Sequence, residues 1–431
     1  MYWEKVVYFS AKHSGLYILY NFLVSLVGIF LVPASFFNRK LRLFYKGRRA
    51  VFSSLEMHLE SNAPRIWVHA ASLGEYEQGL PVVKELRTRY PHHQILITFF
   101  SPSGYEVKKN SPDADLVTYL PLDTRSNSRR FLDLVKPEVA IFIKYEVWPN
   151  YLRELSRRNI PVILISAIFN KKQIYFRPYG AFMLRALKQF RHYFVQDIKS
   201  ANLLKEVGIQ NSTVSGDTRF DRVAEILQQK DILPRIASFV NKNRCIVAGS
   251  TWPEDEKLLV PYINQTDKPV KFILVPHDIK KEHIQNLQRS IQKPVTTFSE
   301  LKTSGETDFS VLIVDAIGLL TRIYQFGQVA YVGGGFATGL HNTLEPAVYG
   351  IPVLIGPQYE GFREAEELVS LEGVFSVNSA KELNQKLDEL LENEELRNNT
   401  GRINSDYINR NLGATTKIIH YLQHLLSRPK N

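Results

Sequence analysis

Residues 65–100 read "RIWVHAASLGEYEQGLPVVKELRTRYPHHQILITFF", and the order of patterns within them decides the fold. An apolar run, "RIWVHAA", is followed by an amphipathic stretch, "YEQGLPVVKELRTRY", and then by a second apolar run, "QILITFF". Short apolar runs of this kind read as strands buried on both faces, and the longer periodic stretch reads as a helix. Strand, crossover helix and strand form the unit of a parallel sheet covered by helices. The corner between the first strand and its helix holds Ser72, Gly74 and Glu75. In an open α/β sheet that corner lies at the carboxyl end of a strand, where ligands are held. Glu75 has two readings at this point. It is either an acid favoured by the helix macrodipole in the first turn, or a carboxylate placed for chemistry.

Outward from this unit the same grammar continues in "DLVTYLPL", "VAIFIKYE", "PVILISAI" and "HYFVQD". It pauses in a polar, helix-prone stretch from Gly216 to Arg244 and restarts with "CIVAGS", "KFILVPH", "VLIVDAI", "VAYVGGG", "PVLIGP" and "GVFSV". Two such series predict an α/β chain of two Rossmann-like, doubly wound domains facing a cleft. At 431 residues the chain exceeds one ordinary core. The expected divisions are an anchor with a basic juxtamembrane segment over 1–49, a first Rossmann-like domain over 50–220, a linker over 221–244 and a second domain over 245–431. No short repeat and no low-complexity segment interrupts them.

Apolar residues make up 44% and charged residues 23%, a globular balance. A single cysteine, Cys245, excludes an intramolecular disulfide and sits in an apolar run that predicts burial. The net charge of +11 predicts an acidic partner surface. From Gly15 to Phe37 there is no charged residue, a length suited to crossing a bilayer or anchoring in one. Arg39, Lys40, Arg42, Lys46, Arg48 and Arg49 follow at once. Cations beside an apolar segment place that side in the cytoplasm and grip anionic lipid head groups. Asn21 and Pro33 interrupt the apolar segment, which leaves a shallow in-plane anchor open as well.

Three loops carry the remaining chemistry. "VAYVGGGFATGLHNTLEPAVYGIPVLIGP", Val329 to Pro357, has glycines after a strand that let a ligand approach the backbone. The helix expected to start at "HNTLEP" offers N–H groups to a phosphate. There Glu345 accepts from ribose hydroxyls, or else Asn342 or Thr343 caps the helix with Glu345 as capping-box partner. The acidic residue of a dinucleotide fingerprint, about 20 positions further on, is missing. In "GSTWPEDEKLL", Ser250 and Thr251 either donate to a phosphate or cap the helix that Pro253 begins. "ILVPHDIKKEH" brings His277, Lys280 and Lys281 to a third strand end, and "SGDTRFDRV" places Arg219 between the domains, where it can reach a phosphate. Metal-ligand spacing is missing: Asp113 and Asp115 lie in a polar turn, and His92 and His93 have no partner at ligand spacing.

Taken in order, "HAASLGEYE", "TFFSPSGYE", "KYEVWPNYL", "VQD", "SGDTRFD", "GST" and "GGGFATGLHNTLEPAVYGIPVLIGP" make the chain resemble the 3-deoxy-D-manno-octulosonic acid (Kdo) transferases of lipopolysaccharide assembly. The resemblance covers nearly the whole chain. It implies a GT-B glycosyltransferase that moves Kdo with inversion from CMP-Kdo to a tetraacylated lipid A precursor, with no metal and no cofactor. It also implies anionic inner-membrane lipids as partners, no nucleic acid, and a place on the cytoplasmic face of the inner membrane. Glu75 matches the family's general base, and the glycine before it is expected to let the backbone turn tightly and leave room for the acceptor. On the donor side the resemblance implies Asn342 and Glu345 at the CMP, Gly334 and Gly335 along the phosphate, and Ser250 and Thr251 as the small hydroxyl pair. Arg219 stands where the family has a lysine. Ser72, Gly74, Ser103, Gly104 and Glu146 fall on the acceptor side. Two departures concern the nucleotide contacts: His277 occupies an arginine position, and Leu340 replaces a glycine. A membrane-associated GT-B transferase using a UDP-sugar is the alternative, one that would not predict the motif around Glu75.

Overall fold

The computed structural model describes residues 2–60, 62–228, 233–301, 308–337 and 339–427. The chain divides into two compact units. One runs to Arg222 and resumes at Leu412; the other is Val223–Asn411.

The first unit opens with helices α1 (Tyr2–Phe37), α2 (Arg39–Arg49) and α3 (Val51–His58). Strands and helices then alternate: β1 (Arg65–Ala70), α4 (Leu73–Arg89), β2 (Gln94–Phe99), α5 (Pro102–Lys108), β3 (Leu116–Tyr119), α6 (Arg125–Val135) and β4 (Val139–Ile143). They continue as α7 (Pro149–Arg157), β5 (Val162–Ala167), α8 (Ala181–Leu187), β6 (His192–Val195), α9 (Ile198–Glu206), β7 (Ser212–Val214) and α10 (Thr218–Gln228). All seven strands are parallel in the order β3-β2-β1-β4-β5-β6-β7. The order reverses between β1 and β4, which pair with Ile66 beside Val139 and His69 beside Phe142. Alternation along β1 sends Trp67 into one core with Phe131, Phe142 and Tyr151, and Ile66, Val68 and Ala70 into another with Tyr76 and Leu80 of α4. Both faces of the sheet are therefore covered, as a parallel sheet requires.

The second unit repeats the plan with α11 (Pro234–Val240), β8 (Arg244–Thr251), α12 (Pro253–Gln265), β9 (Val270–Pro276), α13 (Lys281–Ser290), β10 (Val295–Thr297) and β11 (Val311–Ile313). It goes on through α14 (Leu320–Ile323), β12 (Val329–Val332), α15 (Leu344–Ala347), β13 (Val353–Ile355) and α16 (Arg363–Ser370). It ends with β14 (Val374–Ser376), α17 (Ala380–Glu392) and α18 (Glu394–Arg410). Its seven parallel strands run β10-β11-β9-β8-β12-β13-β14, with the reversal between β8 and β12. Cys245 is buried in β8, and desolvation pushes its thiol far above the ordinary range. The two doubly wound sheets and the apolar first helix are the fold class that the sequence predicts.

The domain limits differ from those expected. The last helix, α19 (Ala414–Leu426), does not belong with residues 245–411. Ile418, Ile419 and Leu422 enter the first unit's core beside Tyr76 and Leu80. Asp221 fastens it: Oδ1 accepts from the Gly413 N–H at 2.7 Å and Oδ2 from the Thr415 N–H at 2.6 Å. The expected linker over 221–244 is helical in α10 and α11, and its residues 229–232 lie outside the described residues.

The apolar segment of α1, Gly15–Phe37, is long and apolar enough to cross a membrane, with a mean hydropathy of 2.1 over its best window. One stripe of it is bound to the first unit. Tyr20 donates its hydroxyl to Asp123 Oδ2 at 2.7 Å, Tyr17 donates to Asn150 Oδ1, and Asn150 donates to Asn21 Oδ1 at 3.1 Å. Ile18, Phe22, Ile29, Phe30, Phe36 and Phe37 are exposed on the remaining surface. In α2, Arg39, Lys40, Arg42, Lys46 and Arg49 are exposed, as a head-group reading needs. Arg48 is a correction. Its guanidinium turns inward, donating to the carbonyls of Leu120 at 2.9 Å and Phe100 at 2.7 Å over the Phe44 ring. Burial pulls its pKa down to about 9.

Candidate active site

In the first unit the reversal point lies between β1 and β4, and the expected acceptor-side carboxylates flank it. Glu75 sits in the first turn of α4, just past β1, and Glu146 in the loop just past β4. Ser72 is the N-cap of α4 yet makes no side-chain cap bond. Glu75 does that work: its Oε2 accepts from the Ala71 N–H at 2.6 Å. The helix-terminus reading is thus part of the structure, and it fixes one carboxylate oxygen in place. Burial raises the Glu75 pKa above the ordinary carboxylate range, and the Glu146 charge raises it further. The Ala71 bond, His69 and Lys144 oppose that rise. Such a carboxylate takes up protons more readily than a solvated one.

Glu146 is nearly buried, and its Oε2 accepts from the Trp148 indole N–H at 2.8 Å and lies 3.1 Å from His69 Nε2. The opposite nitrogen of His69, fully buried, is 2.9 Å from Thr98 Oγ1. His69 and Trp148 therefore hold Glu146 in position, although neither was assigned a role from the sequence. Both stand inside the quoted motifs, and that proximity was the available signal. The Phe100 ring packs on Trp148 with centroids 4.8 Å apart, and the Phe100 carbonyl is the one Arg48 binds. A continuous set of contacts thus runs from the juxtamembrane helix to Glu146.

The two glycines expected on the acceptor side differ in what they do. A methyl group on Gly74 would meet nothing within 4 Å, and its backbone is not in the left-handed region. The expected tight turn is absent, while the expected open space is present. A methyl group on Gly104 would strike the Phe99 ring at 2.1 Å, so Gly104 is there for packing and is buried. Ser103 is exposed in the first turn of α5, its hydroxyl 3.0 Å from that of Ser101. Arg219 lies in this first unit, on α10, whereas the other residues expected on the donor side belong to the second. Its guanidinium pairs with Asp217 Oδ2 at 2.7 Å, and both charges act, like Glu75, on the phenol of Tyr145.

In the second unit the reversal point lies between β8 and β12, and the loops expected on the donor side gather there. Ser250 adopts φ +53° where β8 and β9 slip register, a left-handed conformation rare for serine. Thr251 is buried, and its hydroxyl donates to Glu256 Oε1 at 3.0 Å, which His283 also approaches at 3.1 Å. The expected outward hydroxyl pair is therefore reduced to Ser250, and neither residue caps α12. The cap is made from the other side, with Asp255 Oδ2 accepting from the Trp252 N–H at 2.9 Å.

Asp255, missed in the sequence, organises the glycine loop. It is fully buried and accepts from the Gly334 N–H at 2.9 Å and from the Tyr331 hydroxyl at 2.7 Å. Gly334 is at φ +96°, and a methyl group there would sit 2.2 Å from the Gly339 carbonyl. A methyl group on Gly335 would strike Gly356. The chain's own packing accounts for both glycines. Beside the loop, the Trp252 indole stacks on His277 at 4.6 Å and donates to His341 Nε2 at 3.0 Å. His277 and His341 are 4.7 Å apart; burial and then that neighbour lower the His341 pKa.

Asn342 accepts from the Leu344 N–H at 3.1 Å and donates to Glu345 Oε1 at 3.1 Å, so these two expected nucleotide residues are joined. The helix expected at "HNTLEP" is a single turn, α15, whose N-cap Thr343 makes no side-chain cap bond. Among the described residues no three His, Cys, Asp or Glu side chains converge as a metal-ligand set.

Comparison with known proteins adds the family. The family model described as 3-deoxy-D-manno-octulosonic-acid transferase (kdotransferase) matches residues 45–222, most of the first unit. The chain is similar to the 3-deoxy-D-manno-octulosonic acid transferase of Aquifex aeolicus, 32% identical over 335 residues, covering 76% of this chain and 86% of that one. Against the Haemophilus influenzae enzyme of the same name it is 30% identical over 386 residues, covering 84% and 87%. Among solved structures, UDP-GlcNAc 2-epimerase from Neisseria meningitidis, bound to UDP-GlcNAc, shares the fold with a TM-score of 0.60 at 17% identity. That match covers 84% of this chain and all of the epimerase. With these relatives aligned over most of its length, the chain belongs to the 3-deoxy-D-manno-octulosonic acid transferases, glycosyltransferases of lipopolysaccharide biosynthesis.

Proposed function

We propose that this transferase takes Kdo from CMP-Kdo and places it, with inversion and without a metal ion, on a sugar hydroxyl of a tetraacylated lipid A precursor. The observation that carries the proposal is Glu75: a half-buried carboxylate at the reversal point, with raised proton affinity and one oxygen tied to the backbone. The oxygen not tied down takes the proton from the acceptor hydroxyl. The acceptor oxygen bonds to the anomeric carbon of Kdo as the bond to the CMP phosphate breaks, and the electron pair leaves with CMP. Glu146, held by Trp148 and His69, raises the proton affinity of Glu75 and so favours its protonated product state. Gly74 leaves space for the acceptor.

On the donor side Asn342 and Glu345 face the nucleotide, with Ser250, His277, Arg219 and the loop at Gly334 and Gly335 meeting the phosphate. Positive and dipolar groups of this kind offset the charge that develops on a leaving phosphate. The enzyme works at the cytoplasmic face of the inner membrane. Because Tyr17, Tyr20 and Asn21 are bonded along the first unit, α1 lies in the plane of the membrane with Ile18, Phe22 and Phe30 in the acyl region.

The deciding experiment supplies purified full-length protein with CMP-Kdo made in situ and a tetraacylated lipid A precursor, and reads products by mass. Stepwise Kdo additions support the proposal and count the residues transferred. Transfer from a UDP-sugar instead would replace the donor while leaving the fold and the base in place.

A further inference from the structure

A cavity of about 580 Å³ opens in the first unit where α1 meets α6, α7 and α8. Four arginines line it: Arg125, Arg153, Arg157 and Arg185. Arg157 is paired with Glu154 at 2.6 Å. The other three have no carboxylate partner among the described residues. Two of them share one aromatic neighbour, since the guanidinium carbons of Arg125 and Arg153 lie 4.4 and 4.7 Å from the centre of the same Tyr17 ring. Like charges gathered in this way repel unless an anion joins them. Apart from Ser156 and Gln189 the rest of the wall is apolar or aromatic, with Ile18, 63% exposed on the bare side of α1, and Phe182, whose ring packs against Tyr17 and Tyr20.

From this arrangement we infer that the cavity is a binding site for the phosphate head group of an anionic membrane phospholipid. Guanidinium forks match phosphate oxygens in pairs. The apolar wall formed by Ile18 and Phe182 is continuous with the exposed face of α1, which suits the start of an acyl chain. None of Ser72, Glu75, Ser103 or Glu146 lines the cavity, so the occupant is the bulk lipid rather than the sugar acceptor. The site adds a stereospecific contact to the diffuse attraction of Arg39, Lys40 and Lys46. The inference rests on the proposed membrane placement of α1.

The test uses the full chain and vesicle flotation, comparing phosphatidylcholine with phosphatidylcholine containing phosphatidylglycerol. Two charge-matched triple variants are compared: R125Q/R153Q/R185Q in the cavity and R39Q/K40Q/K46Q on α2. Each exposed cation contributes similarly to diffuse attraction, so a head-group site makes the cavity variant lose at least about tenfold more phosphatidylglycerol preference than the α2 variant. A third variant, R125K/R153K/R185K, preserves charge and fold; loss of preference there supports recognition by guanidinium geometry. Equal losses in both glutamine triples, or full preference in the lysine triple, overturn the site. So does a raised acceptor KM for the cavity variant in phospholipid-free detergent, which would give the cavity to the acceptor. Failure of the wild type to bind either vesicle removes the membrane placement itself. Binding to both vesicles with no preference removes only the head-group site.

Discussion

The Glu146 carboxylate stands near enough to Glu75 to raise its proton affinity, and the two belong to adjacent strand ends, β1 and β4, at the point where the sheet reverses. One is tied to a backbone N–H, the other to an indole and an imidazole. The two acids thus differ in what holds them, and on the proposed mechanism one is the base and the other its support.

Glu75→Gln tests the base directly. Glutamine can still accept from the Ala71 N–H, so the helix start is retained while proton uptake is lost. The expected result is a fall in kcat of about 10²- to 10⁴-fold, with the melting temperature and CMP affinity kept. Full activity in the folded variant would remove Glu75 from the mechanism.

The same shift predicts a pH dependence. With its pKa raised, Glu75 is protonated at higher pH than an ordinary carboxylate, so kcat/KM should rise with pH through that raised value. Removing the neighbouring charge in Glu146→Gln should move this acid limb to lower pH. Stability runs the other way. Between the ordinary and the raised value the folded chain holds a proton that the unfolded chain has released, so stability falls as pH rises across that window. Glu75→Gln should flatten this slope in a pH series of melting curves, and an unchanged slope would count against the shift.

The two glycines offer a contrast. Gly104→Ala pushes a methyl group into the Phe99 ring and should cost about 1–3 kcal/mol of stability. Gly74→Ala meets no atom and sits in a helix, so the fold should gain up to about 1 kcal/mol. Its activity should nevertheless fall, mainly through the acceptor KM, because the methyl group fills space proposed for the acceptor. Denaturant unfolding and steady-state kinetics on both variants check the pair.

Asp255→Ala should be severe in the second unit. It strands the Trp252 and Gly334 N–H groups and the Tyr331 hydroxyl in a buried site, at about 1–3 kcal/mol for each group left unsatisfied. CMP binding measured by calorimetry should weaken or vanish together with a lowered melting temperature. A normal CMP isotherm would mean that the glycine loop keeps its shape without Asp255.

Six strands of each sheet were legible because both faces of the sheets are covered, which writes those strands as short apolar runs. The edge strands β7, "STV", and β10, "VTT", carry hydroxyl residues and no such run, and they escaped. Glu75 was legible because it stands at a strand end in a dense motif. What else escaped depends on contacts far apart in sequence. Nothing local in "ATTKIIHYLQHLL" says which sheet its apolar face will cover, and Asp221 meets Gly413 only in three dimensions. Thr251 and Arg48 were misread for a related reason. Residue type announces a donor or a charge, while the backbone around it decides whether that group faces solvent or its own carbonyls.

The return of α19 makes the first unit discontinuous and the second an insertion within it. During synthesis the side of the sheet that receives Ile418, Ile419 and Leu422 stays open until α19 has left the ribosome, by which time α1 has long emerged. The first unit's core thus waits for a helix made after the whole second unit, and a truncation that removes α19 damages the half of the chain made first.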